Sequence, residues 1–258
     1  MLISYLRLFL LTFFTLILSS INSTQAAQPL RIAVSSNFAP VLKQLLPEFN
    51  QQTGVATQII SGVTGGLYQQ IKYGAPYDVF LAADSLRPQK LAQENLIIPH
   101  SRKTYAFGQL ALYSAKNPKL SWHNLKNITD NKSKRLAIAN PKTAPYGKAA
   151  QQCLIKQGLW EQLKNHLIIG NNIGQTFQQV RSQAVTMGIV AYSQLKLNKL
   201  TGSLLPKNCY SPIKQQLVIL KNTSQLEKSQ QFSNFLLSSK IQQKIAQFGY
   251  LTKANTDD

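Results

Sequence analysis

Four short segments of this 258-residue chain place glycine and small polar residues where a helical pattern begins. They are Ser36-Asn37-Phe38, Val63-Thr64-Gly65-Gly66, Ala144-Pro145-Tyr146-Gly147 and Asn172-Ile173-Gly174. The first amides of a helix have no acceptor inside that helix and carry the positive end of its dipole, equivalent to about half a charge. If the four segments meet, they can surround an anion with neutral donors and need no Lys or Arg.

An ordinary helix cap is the competing interpretation of each segment on its own. Asn37 and Thr64 are residue types that commonly cap helices without any ligand. The glycines favour the ligand-binding interpretation, because a backbone without a side chain can approach a ligand closely. The loop SGVTGG at residues 61–66 lacks the Gly-Lys-Ser/Thr of a nucleotide phosphate loop. This loop is therefore not a nucleotide phosphate loop.

Residues that could support catalysis are few. The three histidines, His100, His123 and His166, lie in polar, loop-like sequence and are predicted to be on the surface. Asp78 and Asp84 flank a predicted strand and are interpreted as turn or cap residues, with a paired role left open. Neither Gly-x-Ser-x-Gly nor His-Glu-x-x-His occurs in the sequence. We therefore predict a binding protein and not an enzyme.

The elements that would position the four segments alternate along the chain. Strands are predicted in LRIAVSSN, VATQIIS, DVFLAAD, YAFGQLALYS, RLAIAN, HLIIG, MGIVAYS and YSPIKQQLVILK. Helices are predicted in FAPVLKQLLPEFNQQTG, LYQQIKYG, KAAQQCLIKQGLW and QTFQQVRSQAV, and near residues 226–237 and 240–248. Pro47 is expected to kink or shorten the first helix.

This alternation predicts the α/β class, with parallel sheets and crossover helices. We predict two α/β lobes, residues 27–107 plus 213–258 and residues 108–212. Ligands of such sheets bind at the carboxyl ends of the strands, so the expected site is the cleft between the lobes.

The N-terminus has the layout of a secretory signal peptide, predicted to comprise residues 1–26. One cation, Arg7, precedes an apolar stretch from Leu8 to Leu18 and a polar run that ends in small residues. This stretch is short of the roughly 20 residues that a membrane-spanning helix needs. A soluble, exported product in the periplasm is therefore expected.

The net charge is high, with 28 Lys and Arg against 9 Asp and Glu, or +19 at pH 7. Such a charge could indicate nucleic acid or an acidic surface as partner. The lysines form no block of five or six, however, so a solvated basic surface is favoured. The two cysteines, Cys153 and Cys209, fit no metal or redox motif, and either one disulfide or two buried thiols is compatible with the sequence.

Several longer stretches resemble one family. IAVSSNFAPVL, SGVTGGLYQQIKYGAPYDVFLAADSLRPQKL, YAFGQLALYS, RLAIANPKTAPYGKAA, NNIGQTFQQV, MGIVAYSQL and the closing FGYL are similar, in this order, to periplasmic molybdate-binding proteins of bacterial ABC importers. The similarity extends from about residue 30 to residue 251. It implies a two-lobed type II periplasmic binding protein that closes on molybdate or tungstate and delivers it to a membrane permease, as a monomer without a cofactor.

The resemblance also implies which residues bind the oxyanion. Four positions match the family pattern: Asn37 with Ser36 beside it, Thr64, Tyr146 and Ile173. The fifth position departs from it, because many members have a tyrosine where this chain has Ala191 followed by Tyr192. On a strand, this shift by one residue would point Tyr192 to the opposite face. Tyr146 could supply the phenol instead.

Three alternatives remain at this point. The same fold could bind ferric iron through Tyr146 and Tyr192 as phenolates. It could also bind a phosphate-like or organic anion. In a different class, an exported basic protein could bind nucleic acid or an acidic polymer, but the aromatic residues mostly fall at core spacing and not within a basic patch.

Overall fold

The structure is a computed structural model that describes residues 28–122, 125 and 135–252. The predicted signal peptide, residues 1–26, lies outside the described residues. Within them the chain forms two five-stranded mixed sheets with helices packed against them. The predicted α/β class is confirmed.

The strands fall into two groups along the chain. The first sheet has the order β2-β1-β3-β10-β4 and the second has the order β7-β6-β8-β5-β9. Their bounds are β1 Leu30–Ser35, β2 Thr57–Gly62, β3 Val79–Ala82, β4 Lys103–Gly108, β5 Leu110–Tyr113, β6 Leu136–Ala139, β7 Leu167–Gly170, β8 Met187–Ala191, β9 Ser203–Leu204 and β10 Ile213–Ile219. We call each sheet with its helices the first unit and the second unit.

The helices lie between these strands and at the C-terminal end. They are α1 Ala39–Thr53, α2 Thr64–Lys72, α3 Leu86–Gln93, α4 Pro145–Lys156, α5 Trp160–Leu163, α6 Ile173–Arg181, α7 Tyr192–Leu197, α8 Leu226–Leu237 and α9 Ser239–Gln247. Three of them, α3, α5 and α7, were not among the helices predicted from the sequence. They are short, with eight, four and six residues.

Parallel pairing brings several loops to one edge of each sheet. In the first unit β1 is parallel to both β2 and β3, and in the second unit β6 is parallel to both β7 and β8. The carboxyl ends of parallel strands meet at the same edge. The loops that lead into α1 and α2 therefore lie together, as do those that lead into α4 and α6.

The stretch YAFGQLALYS is not one strand, as predicted, but two strands in different sheets. β4 ends at Gly108 and pairs with β10, whereas β5 starts at Leu110 and pairs with β8. Gly108 is required there, because a Cβ at this position would lie 2.2 Å from the hydroxyl oxygen of Tyr146. The chain thus crosses between the units at a point where only glycine fits.

Of the two effects expected of Pro47, a kink or a shorter first helix, the shortening does not occur. α1 continues past Pro47 to Thr53 and ends at Gly54, which adopts the left-handed conformation with φ 68°. A proline inside a helix costs about 3 kcal/mol. Leu42, Leu45 and Phe49 are buried along this helix, and their burial offsets that cost.

Cys153 and Cys209 form a disulfide, which settles the alternative left open by the sequence. The bond ties α4 to the segment before β10, through which the chain returns to the first unit. Among the described residues, no helix combines the length and the apolar character needed to cross a bilayer.

Candidate functional site

A small cavity lies between the two units, at the edges where the parallel strands end. Its volume is about 10 Å³, measured as the space open to the centre of a water-sized sphere, which is close to what one water molecule needs. The first unit contributes Ser35, Ser36, Asn37, Gly62, Val63, Thr64 and Ala83, and the second contributes Ala144, Pro145, Tyr146, Asn172 and Ile173.

The lining contains residues from all four segments that the sequence singled out. It thus brings together five of the seven predicted site residues: Ser36, Asn37, Thr64, Tyr146 and Ile173. None of the lining residues is a Lys, Arg, His, Asp or Glu. The site is therefore built from neutral dipoles, as expected for a cage that holds an anion without a countercharge.

Thr64 starts α2, and its hydroxyl is held by Ser35. The two hydroxyl oxygens are 2.7 Å apart, and Ser35 Oγ also accepts a hydrogen bond of 3.0 Å from the backbone N–H of Ala83. Ser35 is buried with 2% of its surface exposed. If Ser35 donates its own hydrogen to Thr64, the hydroxyl hydrogen of Thr64 is free to point into the cavity.

Ser36 and Asn37 form the turn between β1 and α1. The side chain of Asn37 makes no capping hydrogen bond, and its Nδ2 donates to Gln215 Oε1 at 2.9 Å and to Tyr250 Oη at 3.1 Å. The hydroxyl of Ser36 has no hydrogen-bond partner among the described residues. At this corner the Ser36 hydroxyl and the Asn37 backbone N–H are therefore the donors left for a ligand.

The second unit presents two helix starts. α4 begins with Pro145 at its first position, which removes an amide that would have no partner, and places Tyr146 next. α6 begins with Ile173 after Asn172, whose side chain accepts the N–H of Gln175 at 2.9 Å. The amides of Tyr146 and Ile173 have no acceptor within their own helices and remain available.

The two units touch beside the cavity. The N–H of Gly65 in α2 donates to the carbonyl of Thr143 at 3.2 Å. A Cβ on Gly174 would lie 3.4 Å from the Cβ of Ser36, an ordinary contact distance, so the start of α6 lies beside the first unit. The structure thus has the units closed against each other around the cavity.

Neither Ala191 nor Tyr192 lines the cavity. The N–H of Ala191 donates to Gln194 Oε1 at 3.1 Å. Tyr192 is not on a strand but starts α7, and its ring lies where a Cβ on Gly249 would be 2.8 Å away. Neither of these two predicted site residues therefore contributes to the lining of the cavity.

The phenol of Tyr146 is part of a buried polar cluster. Its oxygen accepts hydrogen bonds from Gln215 Nε2 at 3.0 Å and from Asn37 Nδ2 at 3.5 Å. Burial, followed by the neighbouring tyrosines, raises the pKa of Tyr146 well above its ordinary value. Burial also raises the pKa of Tyr250 to about 12. Both phenols are therefore neutral at physiological pH.

The other polar residues considered from the sequence, Asp78, Asp84 and the histidines, do not belong to the cavity lining. Asp78 accepts from the N–H of Arg31 at 2.7 Å and from Thr223 Oγ1 at 2.6 Å, and Asp84 caps the start of α3 through the N–H of Arg87. Of the histidines, His100 is exposed, His166 is half-buried and His123 lies outside the described residues.

Ser35 and Ala83 line the cavity although they lie outside the segments that the sequence singled out. Ser35 belongs to β1 and Ala83 follows β3, and only the parallel pairing of these strands brings them beside Thr64. A β-strand pattern carries no local signal for such a contact. Among the described residues, no group of three or more His, Cys, Asp or Glu could hold a metal ion.

Comparison with known proteins gives a consistent result. The model of the bacterial extracellular solute-binding protein family matches residues 30–251. The molybdate-binding protein of Azotobacter vinelandii is 41% identical over 232 residues, covering 88% of this chain and 91% of the relative. The molybdate-binding protein of Rhodobacter capsulatus is 36% identical over 230 residues, covering 88% and 90%.

The solved structures agree with the sequences. The periplasmic molybdate-binding protein of Azotobacter vinelandii superposes with a TM-score of 0.81 at 38% identity, covering 86% of this chain and 99% of that one. The predicted periplasmic-binding-protein fold is thereby confirmed. The chain belongs to the bacterial extracellular solute-binding protein family and is similar over most of its length to the molybdate-binding proteins within it.

Proposed function

We propose that this protein binds a tetrahedral oxyanion, molybdate or tungstate, outside the cytoplasm and delivers it to the membrane permease of an ABC importer. The observation that carries the proposal is the small, uncharged cavity ringed by donors from both units. A dianion with four acceptor oxygens and no hydrogens suits a site that offers N–H and O–H groups. The proteins with which the chain shares about 40% identity are named for molybdate binding.

The proposed donors come in two kinds. The hydroxyls of Ser36 and Thr64 are the side-chain donors, and the backbone amides of Asn37, Tyr146 and Ile173 are the others. Because the backbone positions its own amides, three of these contacts do not depend on side-chain identity. Ala191 and Tyr192 occupy the positions that correspond to the family's tyrosine, and they are not among the proposed donors.

The two units are proposed to act as lobes that close on the ion, with residues 27–107 plus 213–258 in one lobe and 108–212 in the other. Closure removes the ion from water. Neutral dipoles then bind the ion more strongly, because the dielectric constant inside the protein is lower than in water. It also gives the permease a distinct conformation to recognise. The signal peptide of residues 1–26 would direct the chain to the periplasm, where we expect a monomer that has neither catalytic activity nor a cofactor and binds no nucleic acid.

Selectivity among oxyanions is proposed to follow from size and protonation. Sulfate and molybdate have the same charge and the same acceptors, so cavity dimensions must distinguish them. Monoprotonated phosphate carries a hydrogen that the backbone amides cannot accept. The oxygen of Ser36 or Thr64 must take that hydrogen, or it stays unpaired at a cost of roughly 1–3 kcal/mol.

Ferric iron is disfavoured by the surroundings of the tyrosines. Burial raises the pKa of Tyr146 and thus opposes the phenolate that iron would need, and Tyr192 does not line the cavity. The lining offers no His or carboxylate to complete an iron site. An organic anion is disfavoured by the small volume of the cavity.

Isothermal titration calorimetry on the mature protein tests the proposal. Molybdate, tungstate, sulfate and phosphate are titrated separately at one ionic strength, with ferric citrate as a further ligand. We expect tight one-to-one binding of molybdate or tungstate and weaker or absent heat with sulfate and phosphate. Absence of heat with all four oxyanions would refute the proposal, and a visible charge-transfer band with ferric citrate would favour the iron alternative.

A further inference from the structure

Behind the cavity lies a cluster of buried, uncharged polar side chains that joins the two units. Its members are at most 2% exposed, and they are Asn37, Tyr105, Tyr146, Ser193, Gln215 and Tyr250. Asn37 and Tyr146 also line the cavity, whereas the other four do not. The cluster thus shares two residues with the lining of the proposed site, and its other four members lie behind that lining.

Tyr250 has the most connections to Asn37. Its hydroxyl donates to the carbonyl of Asn37 at 3.0 Å and accepts from Asn37 Nδ2 at 3.1 Å. It also lies 3.0 Å from Ser193 Oγ in α7 of the second unit. A phenol has one hydrogen and two acceptor sites, so Ser193 must be the donor of this bond. One hydroxyl therefore binds both ends of Asn37 and a residue of the opposite unit.

The ring of Tyr250 is held independently of its hydroxyl. It packs edge-on against Phe38 with ring centroids 5.5 Å apart. The residues before and after Tyr250 are also held by hydrogen bonds. The carbonyl of Gly249 accepts from Gln109 Nε2 at 3.0 Å, and Leu251 exchanges backbone hydrogen bonds of 2.7 and 2.9 Å with Phe107. The segment is thus fastened to the residues where the chain crosses between the units. Removal of the hydroxyl alone should leave the ring in place.

The orientation of Asn37 is imposed by this cluster. Its Oδ1 is buried and has no hydrogen-bond partner among the described residues, which is a free-energy cost. Its Nδ2, by contrast, faces Gln215, Tyr250 and Tyr146. The side chain therefore adopts the orientation that satisfies its neighbours and leaves its own oxygen without a donor.

We propose that Tyr250 is a positioning residue for oxyanion binding, because its hydroxyl fixes the Asn37 turn at the cavity and fastens that turn to Ser193 across the two units. This rests on the proposed function. When the units separate, the bond between Tyr250 and Ser193 is lost, and with it the connection that holds Tyr250 and Asn37 to the second unit. Ligand contact at Asn37 and closure of the units are therefore coupled through one neutral hydroxyl.

The test compares Tyr250→Phe with Tyr68→Phe. Tyr68 is also buried, and its hydroxyl donates to Glu94 Oε1 at 2.9 Å, but it does not line the cavity. Molybdate affinity is measured by calorimetry, dissociation by stopped-flow fluorescence, and unfolding by thermal melts without ligand. We expect Tyr250→Phe to weaken binding about tenfold, mainly through faster dissociation. Tyr68→Phe should retain the wild-type affinity even if its melting temperature falls.

Ser193→Ala separates positioning from general destabilisation. It removes only the hydrogen bond from Ser193 to Tyr250 and keeps Tyr250 itself, so it also provides a test if Tyr250→Phe fails to fold. Both single variants should accelerate dissociation, and the double variant should dissociate no faster than Tyr250→Phe, because the same bond is lost.

Three results would overturn the inference. Wild-type affinity and dissociation rate in both single variants would show that the hydroxyl does not matter. Fully additive effects of Tyr250→Phe and Ser193→Ala would show that the two residues act separately. If the wild type itself binds none of the four oxyanions, the proposed function fails, and this inference fails with it.

Discussion

The hydroxyl oxygens of Ser35 and Thr64 lie 2.7 Å apart and join the end of β1 to the start of α2. Ser35 also accepts the N–H of Ala83 at the end of β3. One buried hydroxyl therefore fixes three neighbouring loops of the first unit relative to one another. It does so directly beneath the proposed oxyanion site. Removal of the Ser35 hydroxyl and removal of the Thr64 hydroxyl should therefore have different effects on stability.

Thr64→Val should weaken molybdate binding without unfolding the protein. Valine keeps the branched shape but removes the hydroxyl proposed to donate to the ion, and hydrogen bonds to charged groups contribute about 1.5–3 kcal/mol. We expect a roughly ten- to hundredfold increase in Kd by calorimetry. Thr64→Ser should restore most of the affinity, and wild-type binding by Thr64→Val would exclude this hydroxyl as a contact.

Ser35→Ala should lower stability as well as affinity. It leaves the buried N–H of Ala83 without an acceptor, at a cost of about 1–3 kcal/mol. It also frees Thr64 to rotate. Urea unfolding should therefore show a clear loss of stability in the ligand-free protein, larger than that of Thr64→Val. Equal stability of the two variants would contradict the assigned role of Ser35.

Gly147→Ala should disturb the site through the backbone. A Cβ there would lie 2.2 Å from the carbonyl oxygen of Ala139 in β6, so the start of α4 must move. Overpacking of this kind costs about 1–3 kcal/mol. We expect a lower melting temperature and weaker molybdate binding, because Tyr146 moves with the helix.

Gly62→Ala is the matched control for that prediction. Gly62 also lines the cavity, but the atoms nearest to a Cβ added there belong to the Leu67 side chain at 3.1 Å, and a side chain can adjust. Its effect on the melting temperature should be smaller. If Gly62→Ala were as harmful as Gly147→Ala, contact with the backbone would not be the cause.

The helix starts of the site could be predicted from local sequence, whereas the contacts behind them could not. Thr64 and Ile173 stand where helical periodicity begins, and capping residues and glycines mark such points. The importance of Ser35 depends on strand pairing with a residue 48 positions away. Tyr250 reaches Asn37 from 213 positions away. No local pattern encodes such distant contacts.

The two misassigned strand ends have a similar explanation. Alternation of apolar residues continues through Gly108, and only the tertiary contact with Tyr146 shows why the chain leaves one sheet there. Tyr192 follows five buried residues of β8 and looks like a sixth, but it starts α7. Both errors fall where the chain passes close to the other unit.

The disulfide should stabilise the protein without being needed for binding. It closes a segment of 56 residues and ties α4 to the region before β10. Crosslinks of this kind contribute about 2–4 kcal/mol. Cys153→Ser with Cys209→Ser should lower the midpoint of urea unfolding and keep molybdate affinity within about threefold. A loss of affinity comparable to that of Thr64→Val would show that the bond shapes the site.

Glu48 should make stability depend on pH in the acid range. It lies in α1 and pairs with Lys240 and Lys244 of α9, which lower its pKa from 4.5 to about 2. Since the folded-state pKa is depressed, the stabilisation is complete above about pH 4.5 and is lost as the pH falls toward 2. Glu48→Gln should therefore lower the melting temperature at pH 7 and have a progressively smaller effect between pH 4.5 and pH 2.

Glu161→Gln is the control for this pH dependence. Glu161 pairs with Lys164 on the surface, where the carboxylate side chain is 75% exposed, and such pairs contribute little to stability. The melting temperature of Glu161→Gln should therefore equal that of the wild type at every pH. An unchanged difference between Glu48→Gln and the wild type from pH 7 to pH 3 would contradict the prediction, because the loss would then arise from packing and not from the charge of Glu48.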